Sequence, residues 1–100
     1  MDKPALLVLT VPLDMKDDIV DVLLADQTLS GFTLRDVEGH SREHQHYDLI
    51  EQVQGHQHMV QVDILVDIDE LPPLMERLRG IQKAQSLRYW VLPVLEQGRL

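Results

Sequence analysis

Val60, Val62, Ile64, Val66 and Ile68 alternate with Gln61, Asp63, Leu65 and Asp67. Successive side chains of a strand point to opposite faces, so this stretch reads as a strand with one face in a core. A second segment, residues 5–11, is a nearly continuous apolar run of strand length, as expected for a central strand buried on both faces. Pro12 ends it. Beyond it, Asp14 reads as a helix N-cap and Asp17 as a first-turn acid, where the helix dipole favours negative charge. Ile19, Val22 and Leu23 follow at helical spacing, and the pattern predicts a helix over residues 15–27 whose apolar stripe only Asp26 interrupts.

Ser30 and Gly31 mark a turn. Residues 32–38 form a more polar strand pattern, which belongs near a sheet edge, and Gly39 closes it. Asp69 is placed to cap a second helix. Pro72 and Pro73 are tolerated there, because first-turn N–H groups have no intrahelical partner. Leu71, Leu74, Leu78 and Ile81 make its buried stripe, and Gly80 with residues 83–86 marks its end. The last strand is predicted over residues 88–95, with Pro93 arguing for an edge or a bulge, and residues 96–100 read as a loose tail.

The order is strand, helix, strand, strand, helix, strand. It predicts an α+β fold, the ferredoxin-like βαββαβ sandwich, with an antiparallel sheet and both helices on one face. The first and last strands are apolar on both sides, yet two helices cover only one. The uncovered side calls for a partner, and a second copy of the chain is the economical choice.

One hundred residues suit a single domain spanning 1–100. Aromatic residues are only 4% of the chain, so the core must be aliphatic. Without cysteine there are neither disulfides nor thiolate metal sites, which fits a reducing compartment. The apolar run near the N-terminus is too short to span a bilayer and lacks the features of a signal peptide, so the expected location is cytoplasmic. A net charge of −8 repels a phosphate backbone, which argues against nucleic acid as a partner.

The segment Gly31-Phe32-Thr33-Leu34-Arg35-Asp36-Val37-Glu38-Gly39-His40-Ser41-Arg42 resembles the second strand of the PII nitrogen-regulatory proteins, leading into their T-loop. Residues 60–66 resemble that family's third strand, and residues 12–22 its strand-to-helix junction. The likeness is closest to a short bacterial branch of PII-like proteins, whose members tend to be encoded near heavy-metal efflux systems. It implies a homotrimer with ligand sites in the clefts between subunits. It also implies a flexible loop, here about residues 40–58, that touches a regulated protein, with a membrane transporter as one candidate. Thr33, Gly39 and Arg42 match positions that line the family's nucleotide cleft. Glu43 falls where the family has a Gln that helps bind magnesium and 2-oxoglutarate. Residues 83–87 hold no counterpart of the family's Gly-rich phosphate loop, and the basic pair after the last strand is reduced to Arg99. Without amide N–H groups to cradle phosphates, this argues against ATP held in the usual way. Tyr47 lies near the place of the family's modified tyrosine but in a different context.

All five histidines fall between His40 and His58: His40, His44, His46, His56 and His58. Neutral imidazole is a common transition-metal ligand, and His-x-His pairs put both rings on one face of a strand. A hairpin turning near Glu51 would set His44 opposite His58 and His46 opposite His56, with Cβ atoms roughly 5 Å apart. That register also puts Asp36 and Glu38 on the face of Ile64 and Val66, unless a bulge intervenes at Gly39. Glu43 and Asp48 are candidate carboxylate partners. With no thiolate available, a bound ion would be Cu(II), Zn(II) or Ni(II). The competing readings are a solvated polar loop, or imidazoles that charge together as a pH sensor.

Two functions from different classes follow. The first is a PII-like regulator that binds a small ligand or metal ion and acts on a partner through its loop. The alternative is a transition-metal-binding or metal-tolerance protein, similar in fold to CutA, that uses the loop histidines. An enzyme is not expected: no nucleophile elbow, Walker loop or metalloprotease helix motif is present. Asp17, Asp18 and Asp21 read as a solvated helix face rather than a catalytic pair. Tyr89 and Trp90 should point to opposite sides of the last strand and serve packing.

Overall fold

The computed structural model describes residues 1–40 and 57–100. Four strands form one antiparallel sheet: β1 (Pro4–Pro12), β2 (Phe32–Gly39), β3 (Gln57–Asp67) and β4 (Arg88–Pro93), in the order β2-β3-β1-β4. Helices α1 (Lys16–Ala25) and α2 (Leu71–Arg79) complete the βαββαβ order, and the ferredoxin-like expectation holds. The apolar run of β1 is central, between β3 and β4, and β2 is an edge strand, as its polarity foretold. Pro93 ends β4 on the opposite edge, where its missing N–H costs no ladder bond to an outer neighbour.

The core lies between one sheet face and the helices. Leu7, Leu9 and Val11 of β1 meet Val60, Val62, Ile64 and Val66 of β3. Ile19 and Leu23 of α1, with Leu74 and Leu78 of α2, close over them. The alternation in β3 thus sends four branched residues inward, every one at most 2% exposed.

Several element boundaries differ from the sequence expectation. A 3-10 turn, Leu13–Met15, separates β1 from α1, so Asp14 sits inside that turn and Met15 occupies the N-cap. Asp69 likewise does not cap α2. Asp67 caps the 3-10 turn Ile68–Glu70, accepting from the Asp69 amide at 3.0 Å. It also accepts from the amides of Asp2 and Lys3, which ties the start of the chain to the end of β3. The Asp69, Lys3 and Asp2 amide bonds hold its carboxyl below the usual range, against a smaller opposing effect of burial. Pro72 and Pro73 lie in the first turn of α2, as expected.

Helix α1 stops at Ala25, so Asp26 terminates the apolar stripe rather than interrupting it. Strand β3 begins at Gln57, which places His58 in a strand and not in the expected 40–58 loop. Strand β4 ends at Pro93, short of the expected Leu95. Lys83 has a φ of 69°, in the left-handed region where a side chain crowds its own backbone. Lys83→Gly relieves that crowding, and chemical denaturation should show a gain of about 0.5–1 kcal/mol.

Among the described residues, no helix is long and apolar enough to cross a membrane.

Candidate functional site

The sheet face away from the helices is assembled by register. Val8 lies between Asp63 and Trp90, and Leu6 between Leu65 and Leu92. These residues make an apolar half of the face. Trp90 and Leu92 are 45% and 47% exposed, on a strand where Val91 alone is partly buried. Tyr89 pairs with Leu9 on the helix side, so the two adjacent aromatics do point opposite ways.

The other half of the same face is polar. Arg35 donates to Gln61 Oε1 at 2.8 Å and to Asp63 Oδ1 at 3.2 Å, and Gln61 donates onward to Thr10 Oγ1 at 3.4 Å. This ladder crosses β2, β3 and β1. It holds Arg35 flat along the sheet while leaving its side chain 57% exposed.

Thr33 and Gly39 both belong to this face. Thr33 is exposed opposite Asp63, whereas Gly39 sits at the far end of β2 opposite Gln57. Six residue steps along the strand separate them, about 20 Å at strand rise. A single chain therefore does not bring the two into one small pocket. A Cβ on Gly39 would collide with Met59 Sδ, so the thioether packs where a side chain would stand. Arg42, Glu43, His44, His46 and His56 lie outside the described residues.

His40 and His58 are described, and the ladder corrects their expected pairing. His58 is opposite Glu38, not His44, and Asp36 is opposite Val60. The parity expected for β2 holds: Asp36 and Glu38 share the helix-side face with Val60 and Ile64. Both acids are exposed, so they sit on this face without a bulge at Gly39. His40 Nε2 stands 3.8 Å from Glu38 Oε2, both side chains largely exposed. Glu38, rather than the expected Glu43 or Asp48, is the carboxylate that the described residues place beside these histidines. Its place two residues before His40 is the strand-spacing signal that could have found it. Among the described residues, no three His, Asp or Glu donors already converge on one point.

The grooves of the single chain are modest. A concavity of about 70 Å³ beneath Tyr89 is lined by Leu9, Met75, Leu78 and Leu87. Known small-molecule sites span roughly 300–1,000 Å³. A larger groove, about 560 Å³, opens to solvent along Pro4, Ala5, Ile68, Val91 and Leu92.

Comparison with known proteins sets this geometry in context. Residues 1–100 match the family described as "Protein of unknown function (DUF3240)". The crystal structure of a DUF3240 family protein from Shewanella baltica OS155 is 33% identical, covers 100% of this chain and 99% of its own, and superposes with a TM-score of 0.82. CPII, a nitrogen regulatory PII-like protein from Thiomonas intermedia K12, was solved bound to ADP, AMP and bicarbonate. It is 17% identical with a TM-score of 0.72, over 98% of this chain and 96% of its own. A Bacillus cereus protein related to NIF3 shares 12% identity and a TM-score of 0.72, over 97% of this chain but 26% of its own. No curated protein matches the chain. Matched from end to end, and a third identical to a relative over its whole length, the chain belongs to the DUF3240 family and carries a PII-like fold.

Proposed function

We propose that this protein is a cytoplasmic PII-like regulator, not an enzyme. In this reading it assembles as a homotrimer, takes up a small ligand or ion, and acts on a partner protein through residues 40–58. The observation that carries this reading is the open sheet face. Leu6, Leu65, Trp90 and Leu92, set around the already buried Val8, form an apolar half that neither α1 nor α2 covers. Covering that face with sister chains stabilises the fold and creates clefts between subunits. Across such a cleft, Thr33 of one chain could meet Gly39 of another, although one chain keeps them about 20 Å apart.

The likeness to CPII suggests ADP, AMP and bicarbonate as first probes. Hydrogen exchange of the whole chain with each of them, and with Zn(II), tests the reading. Slower exchange across residues 40–58 with at least one probe is expected, since a ligand that favours one arrangement shifts its population. Unchanged exchange with all four contradicts it. The regulated partner would read this segment, and a membrane transporter is the candidate class.

A second reading, a metal-binding or metal-tolerance protein similar in fold to CutA, is favoured by one feature. His40 and Glu38 stand side by side at the end of β2, with His58 across the ladder.

A further inference from the structure

We propose that Glu38, His40 and His58 form a two-histidine, one-carboxylate site for Zn(II), Cu(II) or Ni(II) where β2 ends and β3 begins. The site deepens the metal-binding reading above and rests on it. Three observations converge. Glu38 and His58 are direct cross-strand partners, so their side chains leave the ribbon on the same face, with Cβ atoms roughly 5 Å apart. His40 follows Glu38 by two residues, the spacing that returns a side chain to that face. Its Nε2 is 3.8 Å from Glu38 Oε2. A tetrahedral ion bound at 2.0–2.2 Å holds neighbouring donors about 3.4 Å apart, so this pair is already close to ligand separation.

Among the described residues the three donors do not yet meet at one point, and side-chain rotation must bring them together. All three residues are exposed. Asp36 lies on the same face one step inward and adds negative charge that attracts a cation. Imidazole and carboxylate donors suit borderline divalent ions, and no thiolate is present to select Cu(I). An ion held there would tie the end of β2 to the start of β3.

Calorimetric titration of the full chain with Zn(II), checked with the electron paramagnetic resonance of bound Cu(II), tests the site. One ion per chain is expected, with Cu(II) showing two nitrogen donors. Glu38→Gln and His58→Ala should each weaken binding about tenfold or more, a loss of one donor. Asp36→Asn should shift it by less than about threefold, as a screened neighbouring charge. Circular dichroism of each variant guards against misfolding, and all three positions are exposed. Wild-type affinity in Glu38→Gln, with binding lost in a His44→Ala/His46→Ala variant, would overturn the proposal by moving the ion elsewhere. Absence of one-to-one binding in the wild type would overturn it as well. Loss of this site alongside nucleotide-dependent protection of residues 40–58 would leave the regulator reading standing.

Discussion

Trp90→Glu is expected to sediment as a folded single chain, and the wild type as three chains. Trp90 pairs with Val8 at the centre of the open face and is 45% exposed in one chain, the profile of an aromatic anchor waiting for a neighbour. A carboxylate there would be desolvated on assembly without a partner, a penalty of several kcal/mol per contact site. The fold itself should survive. The core that Leu7, Ile64, Leu74 and Ile19 build lies on the opposite face of the sheet. Sedimentation velocity and circular dichroism together separate the two effects. Leu24→Glu is the control: Leu24 is an exposed apolar residue too, at 70%, but on α1, and its replacement should leave assembly unchanged. Equal behaviour of the two variants would contradict the assignment of the open face as the interface.

Asp26→Ala should cost about 2–3 kcal/mol in chemical denaturation, the range for losing charge-assisted hydrogen bonds at a buried carboxylate. The Asp26 side chain is only 2% exposed. It accepts from the Thr28 amide at 3.0 Å and from Thr28 Oγ1 at 2.6 Å, closing the turn after α1, and it pairs with Arg77 of α2. One carboxylate therefore fixes both the exit of the first helix and its position against the second. The cost stays below that of a stranded buried charge because Arg77 is 46% exposed and can turn to water.

The same residue makes stability pH-dependent. Burial pushes the Asp26 carboxyl up, but the Thr28 hydrogen bonds and the Arg77 guanidinium outweigh it, and the net direction is down from 3.8. A carboxyl lowered on folding contributes stability that is fully present above the unfolded value and is lost as pH falls through the folded value. The gap between wild type and Asp26→Asn should accordingly be largest near neutrality and shrink below pH 3.8. A gap that stays constant to lower pH would remove the charge from the explanation.

The sequence disclosed what repeats. Alternation in β3 and the apolar run of β1 identified the two central strands, because period-two patterning with a buried face admits little else. The stripe of Leu74 and Leu78 did the same for α2. Caps were less legible. Asp14 and Asp69 have the chemistry of N-caps, but a 3-10 turn before each helix shifts the cap one residue on, to Met15 and Glu70, and only the backbone path reveals such a turn. Asp26 looked like a flaw in a helix pattern because its partner, Arg77, is 51 residues away.

The ribbon is the most instructive case. Parity was readable from residue types, since Asp36 and Glu38 do share a face with Val60. Register was not, because nothing local counts the residues between two strands. Glu38 rather than His44 therefore faces His58. Beyond the helix layer water replaces the core, and polar residues there carry no hydrophobic signal to fix the slide.

Native mass spectrometry of the wild-type protein at low micromolar concentration tests the central claim most directly. If sister chains cover the face of Leu6, Val8, Trp90 and Leu92, the dominant ion series will carry the mass of three chains. Folded single chains alone, at every concentration up to the millimolar range, would contradict the account.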